Sequence, residues 1–271
     1  MLKQIGCAVF LYIVFICVAV AQAIQFSGAA APSPPTGLTI TAYTDIGTGN
    51  KFFQRGISAT SRQVPVTGTY TGGTPDGIDR QVLNTGGSVI SDWTSCTTGS
   101  FGGGSYNVTC LVDQGGKWHL NLRANNAHAV TALQTDEFYV GVGLVIDGQS
   151  NANLVYTGAS ASASADAGTG EFECTAGTFT CSWKIPKDAG VRVLLNSCQT
   201  LLGVPCFATG RAYPATNITD LLPNSITGTV SGKYADLVTQ MTMAGGDFEF
   251  VYWHQGENDA LQTPNATEGV Q

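Results

Sequence analysis

The segment FYVGVGLVI, residues 138–146, is a near-continuous apolar run bounded by polar residues. A run of this length without alternation is expected of a strand buried on both faces of a parallel sheet. Two such runs bound a helical pattern further on. GKYADLVTQMTMAG (232–245) spaces Tyr234, Leu237, Val238, Met241 and Ala244 by three and four, with Gly245 and Gly246 closing it. VRVLLNS (191–197) and DFEFVYWHQG (247–256) read as further strands. Strand, helix, strand is the alternation of an α/β domain.

Upstream the pattern differs. LTITAY (38–43), VPVTGTY (64–70), SVISDW (88–93), YNVTCLV (106–112) and KWHLNLRA (117–124) are short β-branched and aromatic runs between glycine-rich turns. In the last of these, Trp118, Leu120 and Leu122 alternate with His119, Asn121 and Arg123, a period of two that buries one face. No amphipathic helix is visible over 36–138, and the regular strand spacing points to an antiparallel sandwich. The segment YTGASASASADAGTG (156–170) reads as a surface loop, and AAAPSPP (29–35) as a linker or strand leader.

Only 11% of residues are charged, with a formal net charge of -7, so no basic surface exists to neutralise phosphates and nucleic acid is excluded as a partner. The 43% of hydrophobic residues suffices for a sizeable core. At the N-terminus, Lys3, the apolar stretch 6–20 and Ala21-Gln22-Ala23 form the pattern of a cleaved signal peptide, 1–23, with no stable membrane anchor after cleavage. The expected location is secreted, or periplasmic in a bacterium. Loss of Cys7 and Cys17 with the signal leaves six of the eight cysteines. An even number in an exported chain points to disulfides, and clustering favours Cys96–Cys110, Cys174–Cys181 and Cys198–Cys206. Sequons occur at Asn107, Asn217 and Asn265.

Two polar clusters follow buried strands. Asp147-Gly148-Gln149-Ser150-Asn151-Ala152 offers a hydroxyl in a turn that Gly148 allows to bend sharply. Trp253-His254-Gln255-Gly256-Glu257-Asn258-Asp259 offers amide donors and carboxylates. Emerging at the same sheet edge, they hold the groups that acyl transfer to water requires.

At these residues the chain resembles the sialate O-acetylesterase and carbohydrate esterase family 6 group of SGNH hydrolases. GQSNA (148–152) is similar to that group's first block, and WHQGEND (253–259) to its third. The resemblance implies an N-terminal all-β sandwich (24–137, Ig-like or galactose-binding-like) and an α/β three-layer, flavodoxin-like SGNH domain from 138 to 271. It makes Ser150 the nucleophile toward an acetyl ester. Oxyanion donors would be its own N–H, Gly210 of block two (PCFATGRAY, 205–213), and the side chain of Gln255 or of Asn258. Glu257 would be an orienting carboxylate, and neither metal nor organic cofactor is called for. The expected partner is an acetylated carbohydrate, sialic acid or an acetylated polysaccharide.

The group's final Asp-x-x-His block, which supplies the general base, has no counterpart here. The three histidines are His119, His128 and His254. The first two fall in the sandwich, His119 reading as a surface strand residue and His254 as a packing residue. The expectation is therefore a chain carrying the first part of such an enzyme, incomplete at its C-terminus, with its catalytic histidine beyond Gln271. Two other readings remain open: a non-catalytic secreted protein that binds carbohydrate or a partner on a degenerate scaffold, and an acyltransferase using the same machinery.

Overall fold

The computed structural model describes residues 37–44, 46, 51–128, 132–148, 168–174, 180–186, 188–212 and 232–254. The signal segment, the 29–35 stretch, most of 156–170 and the sequons at Asn217 and Asn265 lie outside them. The described residues form a β-rich structure of fourteen strands and two helices.

The first nine strands are β1 (Thr39–Tyr43), β2 (Lys51–Gln54), β3 (Ser61–Thr71), β4 (Ile78–Asn84), β5 (Val89–Ser95), β6 (Thr97–Gly102), β7 (Ser105–Asp113), β8 (Gly115–Ala124) and β9 (Leu133–Gln134). Next come β10 (Phe138–Gly148), β11 (Thr169–Cys174), β12 (Cys181–Lys184), α1 (Ala189–Leu202), β13 (Cys206–Ala212), α2 (Gly232–Ala244) and β14 (Phe250–His254).

A four-stranded antiparallel sheet has the order β1-β3-β7-β6, and its inward Val64, Val66, Val108 and Val112 pack against Ile78, Val82, Leu120 and Leu122. β3 and β7 alternate buried with exposed positions, as strands with one solvated face should. A second sheet of ten strands takes in the rest, along the path β12-β11-β13-β10-β8-β4-β5, with β2, β9 and β14 added beside it.

β10 is the spine of that larger sheet, and all eleven of its residues are buried. Gly141 O accepts the Arg55 N–H and Gly143 O the Glu249 N–H, so β2 and β14 follow one another along one side of β10. That leaves the other side to β8 and β13. One strand thus pairs over its first half with antiparallel β8 and parallel β2, and over its second half with parallel β13 and β14. The change of sequence pattern near 138 coincides with its first residue.

Its side chains reach three apolar clusters. Phe138 and Val140 enter the sandwich core, while Val142, Leu144 and Ile146 pack on Val191 and Leu195 of α1. On the opposite face Tyr139 stacks on Phe52 with ring centres 4.4 Å apart, beside Phe207, Trp183 and Phe248. The unbroken hydrophobic run is the sequence trace of these double duties.

One expectation is overturned. VRVLLNS is not a strand but the centre of α1. Its β-branched residues imitate a strand, yet burial follows Val191 and Leu195, one helical turn apart, while Val193 is exposed. Gly203, at φ 68°, ends the helix by donating its N–H to Gln199 O. The helix at 232–245 forms as expected. Disulfides join Cys96 to Cys110, Cys174 to Cys181, and Cys198 to Cys206, the last tying α1 to β13. No described helix is long and apolar enough to cross a membrane.

Candidate active site

β13, β10 and β14 are adjacent and parallel, and their C-terminal ends are level. Asp147 is in register with Arg211 on one side and Trp253 on the other; Gly148 is in register with Ala212 and His254. The polar clusters read from the sequence therefore begin at neighbouring, level strand ends. Ser150, Gln255, Glu257 and Asn258 follow those ends in sequence and lie outside the described residues. Gly210 is described and lies within β13, opposite Ile146.

Two glycines let the strands approach so closely. Gly148 has φ 136°, and a Cβ there would come within 2.0 Å of His254 O. Gly210 has φ 122°, and its Cβ would come within 2.2 Å of Ile146 O. A side chain at either position would force the sheet apart at the level of the site. Gln240 of α2 donates to the Phe172 and Gly210 carbonyls, at 2.9 and 3.4 Å, tying the helix to this part of the sheet.

Asp147 is the group that sequence reasoning left without a role. It is the one charged residue of β10, and 1% exposed. Burial pushes its carboxyl up from the ordinary 3.8 to about 6, and a hydrogen bond from the Gly148 backbone draws it partly back. Its Oδ1 has no hydrogen-bond partner among the described residues. The signal for it was present: an acid closing a run of otherwise uncharged residues, directly before the glycine of the turn.

The histidines divide. His119 is partly covered rather than fully exposed: its Nδ1 lies 2.8 Å from Thr135 O and its Nε2 3.7 Å from Glu137, on a strand that pairs with the far half of β10. His128 Nε2 lies 3.4 Å from Asp79, likewise in the sandwich. His254, expected to pack, is exposed at the end of β14, level with Gly148. Among the described residues no group of three or more His, Cys, Asp or Glu side chains is placed to hold a metal ion.

The opposite ends of these strands are held by charge. Arg55 donates to both Glu249 oxygens, at 2.9 and 2.8 Å, and to Gln114 Oε1 at 2.7 Å. Gln54 donates to Glu249 at 3.2 Å and accepts the Gly143 N–H. Arg55's hydrogen bonds hold the Glu249 carboxyl below its ordinary range. This clasp fastens the approach to β14 against the end of β2, and so fixes where β14 meets β10.

No protein-family model and no curated protein matches the chain. Among solved structures it is similar to a carbohydrate acetylesterase from Xanthomonas citri, at 17% identity and a TM-score of 0.47, over 81% of this chain and 52% of that one. The chain spans about half the length of that neighbour.

Proposed function

We propose that this protein is a secreted serine esterase that removes O-acetyl groups from carbohydrate. One observation carries the reading: the strand ends bearing DGQSNA and WHQGEND are adjacent, parallel and level in the sheet, with Gly148 opposite His254. In the proposed reaction Ser150 Oγ attacks the acetyl carbonyl and gives its proton to a histidine base. The oxyanion is held by the Ser150 N–H and by the Gln255 or Asn258 side chain, with Gly210 in block two as a further donor. The sugar alcohol departs with that proton, and water then releases acetate from the acyl-serine. Glu257 orients the cleft. The histidine is the role the resemblance gives to an Asp-x-x-His block, and the α/β part from 138 onward is the SGNH-type catalytic region beside the sandwich. Three disulfides fit an oxidising compartment.

The test is acetate release from acetylated xylan and from O-acetyl sialic acid by the protein. Ser150→Ala should abolish it; unchanged turnover in that variant removes the assignment. The binding reading draws on the pairing of His119 and His128 within the sandwich, away from these strand ends. Retention of an acetylated glycan by both wild type and Ser150→Ala, with no acetate from either, would favour it.

A further inference from the structure

We propose that Asp147 is a positioning residue: its buried carboxyl fixes the Gly148 turn, and through that turn the approach of the candidate nucleophile. The inference rests on the esterase reading for its kinetic part only.

Two other acids at low exposure are well partnered. Asp79 takes a hydrogen bond from Ser95 at 2.7 Å and faces Arg123 and His128. Glu249 is clasped by Arg55 and Gln54. Asp147 is buried more deeply than Asp79, at 1% against 7% exposure, and one of its oxygens has no donor among the described residues. An unsatisfied buried acceptor opposes folding, and a charged one opposes it more strongly. An apolar side chain would suit the strand better, as Val145, the preceding residue on the same face, shows. The acid is therefore not there for packing.

Its location gives it another use. The acid directly precedes Gly148, the residue where the strand takes up its positive φ, and the Gly148 backbone favours its charged form. Gly148 in turn lies so close to the His254 main chain that no side chain fits between them. Asp147 thus braces one fixed point from which the chains toward Ser150 and Gln255 both depart. Its open oxygen keeps a further acceptor available at that point. A local feature that weakens the fold while ordering a turn at a reaction centre is a recognised trade of stability for function.

The experiment compares Asp147→Asn and Asp147→Ala in the full chain. Three quantities are read: thermal unfolding at pH 8, amide hydrogen exchange at Gly148, and kcat and KM for acetate release. The expected result is a higher Tm for Asp147→Asn, with exchange at Gly148 at least about tenfold faster. kcat should fall by about ten- to a hundredfold, as for a misplaced reacting group, with KM little changed. Asp147→Asn, which keeps one acceptor oxygen, should retain more kcat than Asp147→Ala. Unchanged exchange at Gly148 in both variants, or a lower Tm in both, would overturn the inference. If wild type releases no acetate, the esterase reading falls, and exchange at Gly148 alone decides for or against the role of Asp147.

Discussion

The two ends of the parallel strands treat buried charge in opposite ways. Where β14 is approached, Glu249 and Arg55 form a two-pronged pair that Gln54 and Gln114 complete. Where the same strands finish, Asp147 keeps a buried oxygen without a donor among the described residues, beside a glycine in a conformation other residues avoid. One end satisfies its polar groups and fixes the register. The other is left incomplete where chemistry is proposed. A sheet can carry such a defect at one end because the opposite end holds the strands in place.

The largest effect expected from breaking this contrast is at the clasp. Arg55→Ala strands Glu249 among partly buried neighbours and should lower stability by about 3–5 kcal/mol, read by chemical denaturation. A loss below about 1 kcal/mol would mean the clasp does not anchor β14. The opposite sign is expected at the other end. Asp147 has a folded pKa of about 6 against an ordinary 3.8. It therefore favours the fold fully only below the lower value, and that contribution is lost as pH rises through the higher one. Asp147→Asn should raise stability at pH 8 by up to about 3 kcal/mol, the gain shrinking to nothing near pH 4. A pH-independent effect would remove the contrast.

Glu249 sharpens it, because its pKa is shifted down. Its contribution is present above the unfolded pKa and is lost as pH falls through the folded one, so Glu249→Gln should flatten the acid side of the stability curve. The smallest effect belongs to the surface pair Lys184–Glu173, at 2.6 Å but with both side chains about a third or more exposed. Lys184→Ala should change the unfolding midpoint by less than about 1 kcal/mol equivalent.

Much of this was legible in the chain, for reasons that differ from place to place. The run 138–146 announced β10 because burial on both faces leaves no polar position to interrupt it. The helix 232–245 announced itself by spacing and by its closing glycines. α1 did not, because Val191 and Val193 resemble a strand and only the interval from Val191 to Leu195, with Gly203 beyond, betrays the turn. β2 was passed over as well: four residues long, it owes its place to Phe52 and Phe53 finding Tyr139 and Phe138, which are distant in sequence. At the site, the two polar clusters could be read as strand-end turns, but not that Gly148 and His254 would stand opposite one another. Asp147 was visible as a letter, yet its missing partner is a property of the folded neighbourhood.

The sharing of β10 between two sets of partners bears on how the protein is made. Its neighbours range from β2, beginning at Lys51, to β14, ending at His254. During synthesis this most apolar strand emerges long before its final parallel partners exist, and one flank of its second half stays open until Phe250 has left the ribosome. Pairings so far apart in sequence slow folding and prolong the exposure of sticky edges. A nascent chain of this kind gains from chaperone cover, and its yield in a foreign host should respond to chaperone level.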